Sequence, residues 1–269
     1  MSEQTIGVFD SGLGGLTAVR ELIKILPGED IVYFGDTARV PYGTRSRDTI
    51  RKFAMQDLRF LLEKNPKAVL VACGTISSVA LSDLRAMTEI PVIGVVEPTA
   101  RAACNATRNG RIGILGTSAT VKSRSYQTAI GAIDPSVQLT AQACPLFVPL
   151  VENGYLDHPI TELAVKEYIA PLQEAGVDTM ILGCTHYPLL KPVLGRMLGD
   201  HVTLIDSGKE AALALAAVLK EQNQLSSASE GQRRYYVSDE VGNFSHIAGM
   251  FLNQNIDGAV EKVSVKTDD

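Results

Sequence analysis

The sequence predicts an α/β fold: two pseudo-symmetric open α/β domains with mostly parallel sheets. Three observations carry that prediction. Short apolar runs alternate with segments of helical period, the β-α-β-α order of an open sheet with helices on both faces. Runs such as 68–73 are apolar throughout instead of alternating, as strands covered on both faces require. The pattern then restarts: Ile6-Gly7-Val8-Phe9 resembles Ile112-Gly113-Ile114-Leu115, and Val69-Leu70-Val71-Ala72-Cys73 resembles Met180-Ile181-Leu182-Gly183-Cys184, at nearly one offset. Either match alone says only that buried strands look alike; the cysteines at both matching strand ends make it a repeat.

Residues 6–9 read as a strand closed by a Gly-rich turn. Leu16, Val19, Leu22, Ile23 and Leu26 share one helical face, and Pro27-Gly28 ends that helix. A strand at 31–35 follows, then a helix at 46–64 with Ile50, Phe53, Leu58, Leu61 and Leu62 as its stripe. The strand 68–73, a helix near 77–87 and a strand at 92–96 complete the first half. The second half reads as a strand at 111–115, a turn at 116–120 with a polar helix after it, and a strand at 137–143. A helix at 161–174 kinked at Pro171, a strand at 179–184 and a short helix at 188–198 follow. A helix from 207 to 219, a Ser-rich loop at 223–231, a segment at 234–238, a helix near 244–252 and a strand at 260–265 close the chain. This tail is too poor in apolar residues for a third domain, so it is expected to pack back on a half. Residues 1–97 with 208–269 then form one domain and 98–207 the other.

The chain has 269 residues, enough for one or two domains with a sizeable core. It is 45% hydrophobic and 20% charged, which excludes intrinsic disorder. Lys plus Arg is 25 against 30 Asp plus Glu, a formal charge of −5, so there is no basic footprint for nucleic acid. No apolar run approaches the ~18 residues of a membrane helix. No basic stretch precedes an apolar run in MSEQTIGVFD, so neither a secretory signal nor a membrane partner is expected, and the location should be cytoplasmic. Four cysteines are too few for a disulfide scaffold and should stay reduced.

In an open parallel sheet, ligands bind beyond the carboxyl ends of the strands. The residues there are Asp10-Ser11-Gly12, Asp36-Thr37, Cys73-Gly74-Thr75, Gly116-Thr117 with Thr120, Glu152, and Cys184-Thr185-His186. The run Asp10-Ser11-Gly12-Leu13-Gly14-Gly15 is not a phosphate cradle: an Asp at the strand end repels phosphate and suits an ammonium group or proton transfer. Its glycines read as a tight strand-to-helix turn. Asp36 and Glu152, taken alone, read equally well as loop charges. Cys104 and Cys144 are assigned to packing. Cys73 and Cys184 differ, because each leaves an apolar strand and enters a polar stretch. There is no CxxC or metal-ligand spacing, so no metal is expected. Two thiols facing one site from pseudo-symmetric strands suit a two-base racemase, in which one thiol takes a proton from one face of a carbon and the other delivers one to the opposite face. His186 beside Cys184 could tune the thiol or polarise the substrate.

The motifs VFDSGLGGLT at 8–17, FGDTARVPYG at 34–43, VACGT at 71–75 and GCTHYPLL at 183–190 resemble the glutamate racemases, within the wider aspartate/glutamate racemase group. They stand in the family's order, and the resemblance covers most of the chain, weakest after 222. It implies two domains facing one cleft and an isomerase that makes D-glutamate for peptidoglycan, hence for cell-wall biogenesis and cell shape, without PLP or any other cofactor. It implies catalytic thiols at Cys73 and Cys184, auxiliary acid–base residues at Asp10, Glu152 and His186, and Asp36 nearby. Substrate contacts are implied at Asp10, Ser11, Pro41, Tyr42, Gly43, Thr75, Thr117, Thr120, Thr185 and His186. A homodimer is an expectation, since the family is often dimeric. The chain departs from the family's Cys-Asn-Thr at Cys73-Gly74-Thr75, which leaves the Gly74 N–H as a carboxylate donor and bears on affinity. Ile76-Ser77-Ser78 departs from an Ala-rich stretch. The rival readings are an aspartate or broad-specificity racemase, a non-catalytic module binding a small anion, and a dithiol sensor closing a Cys73–Cys184 disulfide.

Overall fold

The computed structural model describes residues 4–253, 256 and 259–265. The chain begins with β1 (Thr5–Asp10), α1 (Leu16–Ile25), β2 (Ile31–Gly35) and α2 (Arg47–Leu62). The Ser46 hydroxyl caps α2 by accepting from the Thr49 N–H at 3.2 Å. β3 (Pro66–Val71), α3 (Gly74–Val79), α4 (Leu81–Arg85), β4 (Val92–Gly94) and α5 (Val96–Ala106) follow. Next come β5 (Arg111–Gly116), α6 (Ser118–Ser123), α7 (Ser125–Ile133), β6 (Gln138–Ala143), α8 (Phe147–Glu152) and α9 (Pro159–Glu174). Then come β7 (Thr179–Leu182), α10 (Lys191–Leu198), β8 (Thr203–Asp206) and α11 (Ser207–Glu221). The segment closes with β9 (Arg233–Val237), α12 (Val241–Leu252) and β10 (Val260–Lys262).

The strands form two sheets in which every pairing is parallel. The first runs β10-β9-β2-β1-β3-β4 and the second β6-β5-β7-β8. The order β2-β1-β3-β4 is repeated by β6-β5-β7-β8, which makes the two sheets pseudo-symmetric and pairs β1 with β5 and β3 with β7 as the sequence repeat does. β9 and β10 extend the first sheet at its β2 edge. All six residues of β3 are buried, because helices cover both faces. α11 packs on α1 and α5 and bridges the sheets; Gly208 lets it approach the Ala18 backbone.

Several elements differ from the sequence reading. The helix expected near 77–87 is two short helices, α3 and α4, and it begins at Gly74. The strand expected at 92–96 stops at Gly94. There the Ser77 hydroxyl accepts from the Val95 N–H at 3.2 Å, and the chain turns into α5, which the sequence reading lacked. The inward face of α5 is Val96, Ala100 and Ala103, too small to give a strong stripe. The helix after Thr120 breaks into α6 and α7 at Arg124, whose φ of 57° is left-handed. α8 and β8 were not foreseen: α8 holds Pro149 in six residues and β8 has four. α9 starts at Pro159 and continues through Pro171. The expected divisions at 97/98 and 207/208 fall in the first turns of α5 and α11.

Candidate active site

The carboxyl ends of the two sheets face each other across a cavity of about 430 Å³. The first sheet contributes Ser11, Gly12, Cys73, Gly74 and Thr75, with Val40, Pro41, Gly43 and Thr44 from the loop after β2. The second contributes Thr117, Ser118, Glu152, Cys184, Thr185 and His186, with an apolar wall of Cys144, Pro145, Val148, Pro149 and Tyr187. The seam between the sheets is tight. A Cβ on Gly74 would overlap the Gly183 carbonyl oxygen, one backbone lying on the other. Thr75 and Thr117 meet through their hydroxyls at 3.0 Å, the Ala119 N–H donates to the Gly43 carbonyl at 3.1 Å, and Ser125 donates to Ser78 at 2.9 Å.

Cys73 and Cys184 are both buried, one from each sheet, and each has its own titratable partners. The Cys73 thiol donates to the Ser11 hydroxyl at 3.4 Å. Burial, with the Asp10 charge beside it, pushes the Cys73 thiol up to about 12. Asp10 is 1% exposed; its Oδ2 accepts from the Gly12 N–H at 3.1 Å while Oδ1 has no hydrogen-bond partner. Burial raises the Asp10 carboxyl, against the lowering effect of His186 and the Gly15, Gly12 and Cys73 groups. Across the cavity, Cys184 Sγ lies 3.8 Å from His186 Nδ1, and His186 Nε2 lies 2.8 Å from Glu152 Oε1. Burial alone would lower the imidazole, but hydrogen bonds and charge from Cys184 and Glu152 outweigh it and hold His186 up at about 10. Each thiol therefore has a titratable neighbour: Asp10 on one side, the His186–Glu152 pair on the other.

Four of the expected site residues do not line the cavity. Asp10 is buried behind Ser11 and Cys73, beside the lining and not part of it. Asp36 is 0% exposed and is braced by Arg39 Nε at 2.5 Å and by the Ser238 hydroxyl at 2.8 Å. Tyr42 donates its hydroxyl to Asp36 and Asp57, so it is turned away from the cavity into this network. Thr120 is buried behind Thr117, with 3.0 Å between their hydroxyls. The reason is local charge: Arg39 draws Asp36 and Asp57 together behind the loop, and only Val40, Pro41, Gly43 and Thr44 face the opening. In the other direction, Cys144, read as packing, lines the cavity, though burial pushes its thiol up. It lines the cavity just before α8, whose Val148 and Pro149 lie on the same wall, and α8 is six residues with one proline and carries no helical stripe. Among the described residues, no group of three or more His, Cys, Asp or Glu side chains is arranged to hold a metal ion. No helix there is long and apolar enough to cross a membrane.

Residues 6–215 match the family model described as Asp/Glu/hydantoin racemase. The chain is 46% identical over 269 residues to a glutamate racemase of Geobacter metallireducens, covering 100% of this chain and 99% of that one. Its fold is similar to a glutamate racemase isoform of Bacillus anthracis at TM-score 0.95 and 38% identity, covering 98% of this chain and 99% of that one. It is also similar to the Francisella tularensis glutamate racemase, solved in complex with D-glutamate, at TM-score 0.92 and 38% identity, covering 99% of each chain.

Proposed function

The chain belongs to the Asp/Glu/hydantoin racemase family, and on that premise we propose that it interconverts L- and D-glutamate by cofactor-independent proton transfer between Cys73 and Cys184. The observation that carries this reading is the pair of buried thiols, one from each sheet, lining one cavity with separate acid–base partners. The two halves, divided near 97/98 and 207/208, meet at this site.

Glutamate lies with Cα between the two sulfurs. The hydroxyls of Ser11, Thr75, Thr117 and Thr185 and the Gly74 N–H hold its carboxylates, and its ammonium lies on the Asp10 side. One thiolate takes the Cα proton; the opposite thiol returns its own proton to the other face, and the two sulfurs exchange protonation states. Asp10 and the His186–Glu152 pair then restore them. The Cα carbanion is stabilised by fixed hydrogen-bond donors in a site that excludes water. Burial and the Asp10 charge keep the Cys73 thiol protonated at rest. The enantiomer bound decides which thiol abstracts. The product D-glutamate supplies peptidoglycan synthesis. The test is incubation with L-glutamate in D₂O, following Cα deuteration by NMR together with loss of optical rotation. Deuterium should enter as rotation falls, with no added cofactor and with EDTA present. Racemisation of aspartate but not glutamate would overturn the substrate, and activity that depends on added PLP would overturn the mechanism.

A further inference from the structure

His186 follows β7 of the second sheet, yet part of what surrounds its ring comes from the first-sheet side of the molecule. Its own side supplies Glu152 at Nε2, 2.8 Å away, and Cys184 at Nδ1, 3.8 Å away. The rest arrives from across the seam. Gly14, in the turn after β1, has no Cβ; one placed there would overlap Thr185 Oγ1 and lie 2.5 Å from His186 Nδ1 and 2.6 Å from Cε1. In α1, the Thr17 hydroxyl donates to the Thr185 carbonyl at 2.9 Å. In α12, which lies between β9 and β10 of the first sheet, Phe251 is fully buried and meets the imidazole edge-to-face, with centroids 5.3 Å apart at 86°. We propose that Gly14 and Phe251 are positioning residues that seat His186, so that the other half of the molecule holds the acid–base partner of Cys184 in register.

The physical argument is rotational. An imidazole bridging a carboxylate and a thiol works in one ring orientation, and a buried ring is kept there only if every side is filled. Gly14 allows the ring to approach the β1 turn, and Phe251 closes another side. Drawing the halves apart withdraws both contacts at once, so the Cys184 side becomes competent only when the cleft is closed. The C-terminal helix thereby acts on the proton-transfer site without lining the cavity.

The inference rests on the two-thiol reading, and the test separates the two. The enantiomers of β-chloroglutamate need one abstracting thiolate only. It removes the Cα proton, chloride leaves Cβ, and the enamine formed hydrolyses to 2-oxoglutarate and ammonium, which are assayed. Cys73→Ser and Cys184→Ser should prefer opposite enantiomers. Gly14→Ala and Phe251→Leu should shift the ratio of the two elimination rates towards that of Cys184→Ser by at least ~10-fold, the scale of a displaced catalytic group. Phe251→Tyr, which keeps the ring, should return most of the wild-type ratio. Phe244→Leu, on the same helix but against Tyr33, should slow both enantiomers alike. If folded Gly14→Ala and Phe251→Leu proteins lose both rates equally, the seating role is wrong while the two-thiol reading stands. If the two serine variants share one preference, the two-thiol reading fails and the inference falls with it.

Discussion

Cys73 and Cys184 are alike as residues and differ in what stands beside them, an aspartate with an unpaired oxygen in one case and a histidine tied to a glutamate in the other. Replacing either by serine leaves a hydroxyl that does not ionise near neutrality. Cys73→Ser and Cys184→Ser should each lower racemisation by ~10²–10⁴-fold, the usual worth of a positioned acid–base group, as read by the change of optical rotation. Cys104→Ser, away from the cavity, should keep turnover within about twofold. The histidine also makes a stability prediction. His186 is raised from 6.5 to about 10 in the folded protein, so its contribution is fully present below pH 6.5 and is lost as pH rises to about 10. Cys73, raised from 9.0 to about 12, adds a loss of the same sign above pH 9.0. The melting midpoint should therefore fall between pH 7 and 10, and His186→Asn should flatten that fall in a calorimetric series across the range.

The element that most depends on buried charge is the loop after β2. Arg39 reaches Asp36 at 2.5 Å and Asp57 at 2.7 Å, and the Tyr42 hydroxyl lies between the same two carboxylates. Burial together with the Asp36 charge raises the Asp57 carboxyl well above its usual range. The Ala38 N–H donates to Ser238 at 2.9 Å, so the strand β9 end grips the loop as well. Tyr42→Phe removes a donor shared by two carboxylates and should cost about 1.5–3 kcal/mol in a urea melt. Because Val40, Pro41 and Gly43 form the cavity wall in front of this network, the same variant should raise KM more than it lowers kcat. An equal fall in kcat and kcat/KM, with KM unchanged, would place the network in the chemistry instead of behind the wall.

For the whole molecule the decisive feature is how closely the two sheet ends meet. Gly74 lies on the Gly183 carbonyl with no room for a Cβ, and the contact is backbone against backbone, so neither side can yield as a side chain would. Gly74→Ala must part the seam beneath Cys73 and Cys184. An error of ~1 Å between reacting groups is worth about 10²-fold, and Gly74→Ala should lose activity on that scale and also melt at a lower temperature, because the overlap is with backbone. Gly74→Asn, which restores the residue that the resembling family carries there, should fare no better, because the Cβ itself is what does not fit. Wild-type KM and kcat in either variant would show that the halves part freely at no cost.

The sequence by itself determined the fold class, the repeated strand order and the two thiols, because buried parallel strands need unbroken apolar runs and residues of unusual chemistry stand out where those runs end. It also marked Asp10 and His186 by their places at strand ends, while Glu152 was marked only by the family resemblance, since alone it reads equally well as a loop charge. Only the tertiary structure decided which neighbours share the cavity. Asp36 and Tyr42 belong to motifs as distinctive as the others, yet a nearby Arg39 and a distant Asp57 draw them behind the wall. Cys144 packs in the core as read, and only the fold shows that it also lines the cavity. Gly14 reads as a turn glycine until His186, 172 positions later, fills the space its missing Cβ leaves. Local pattern specifies elements because it is set by near neighbours, whereas a site between two sheets is set by contacts between residues far apart in the chain, and no periodicity encodes those.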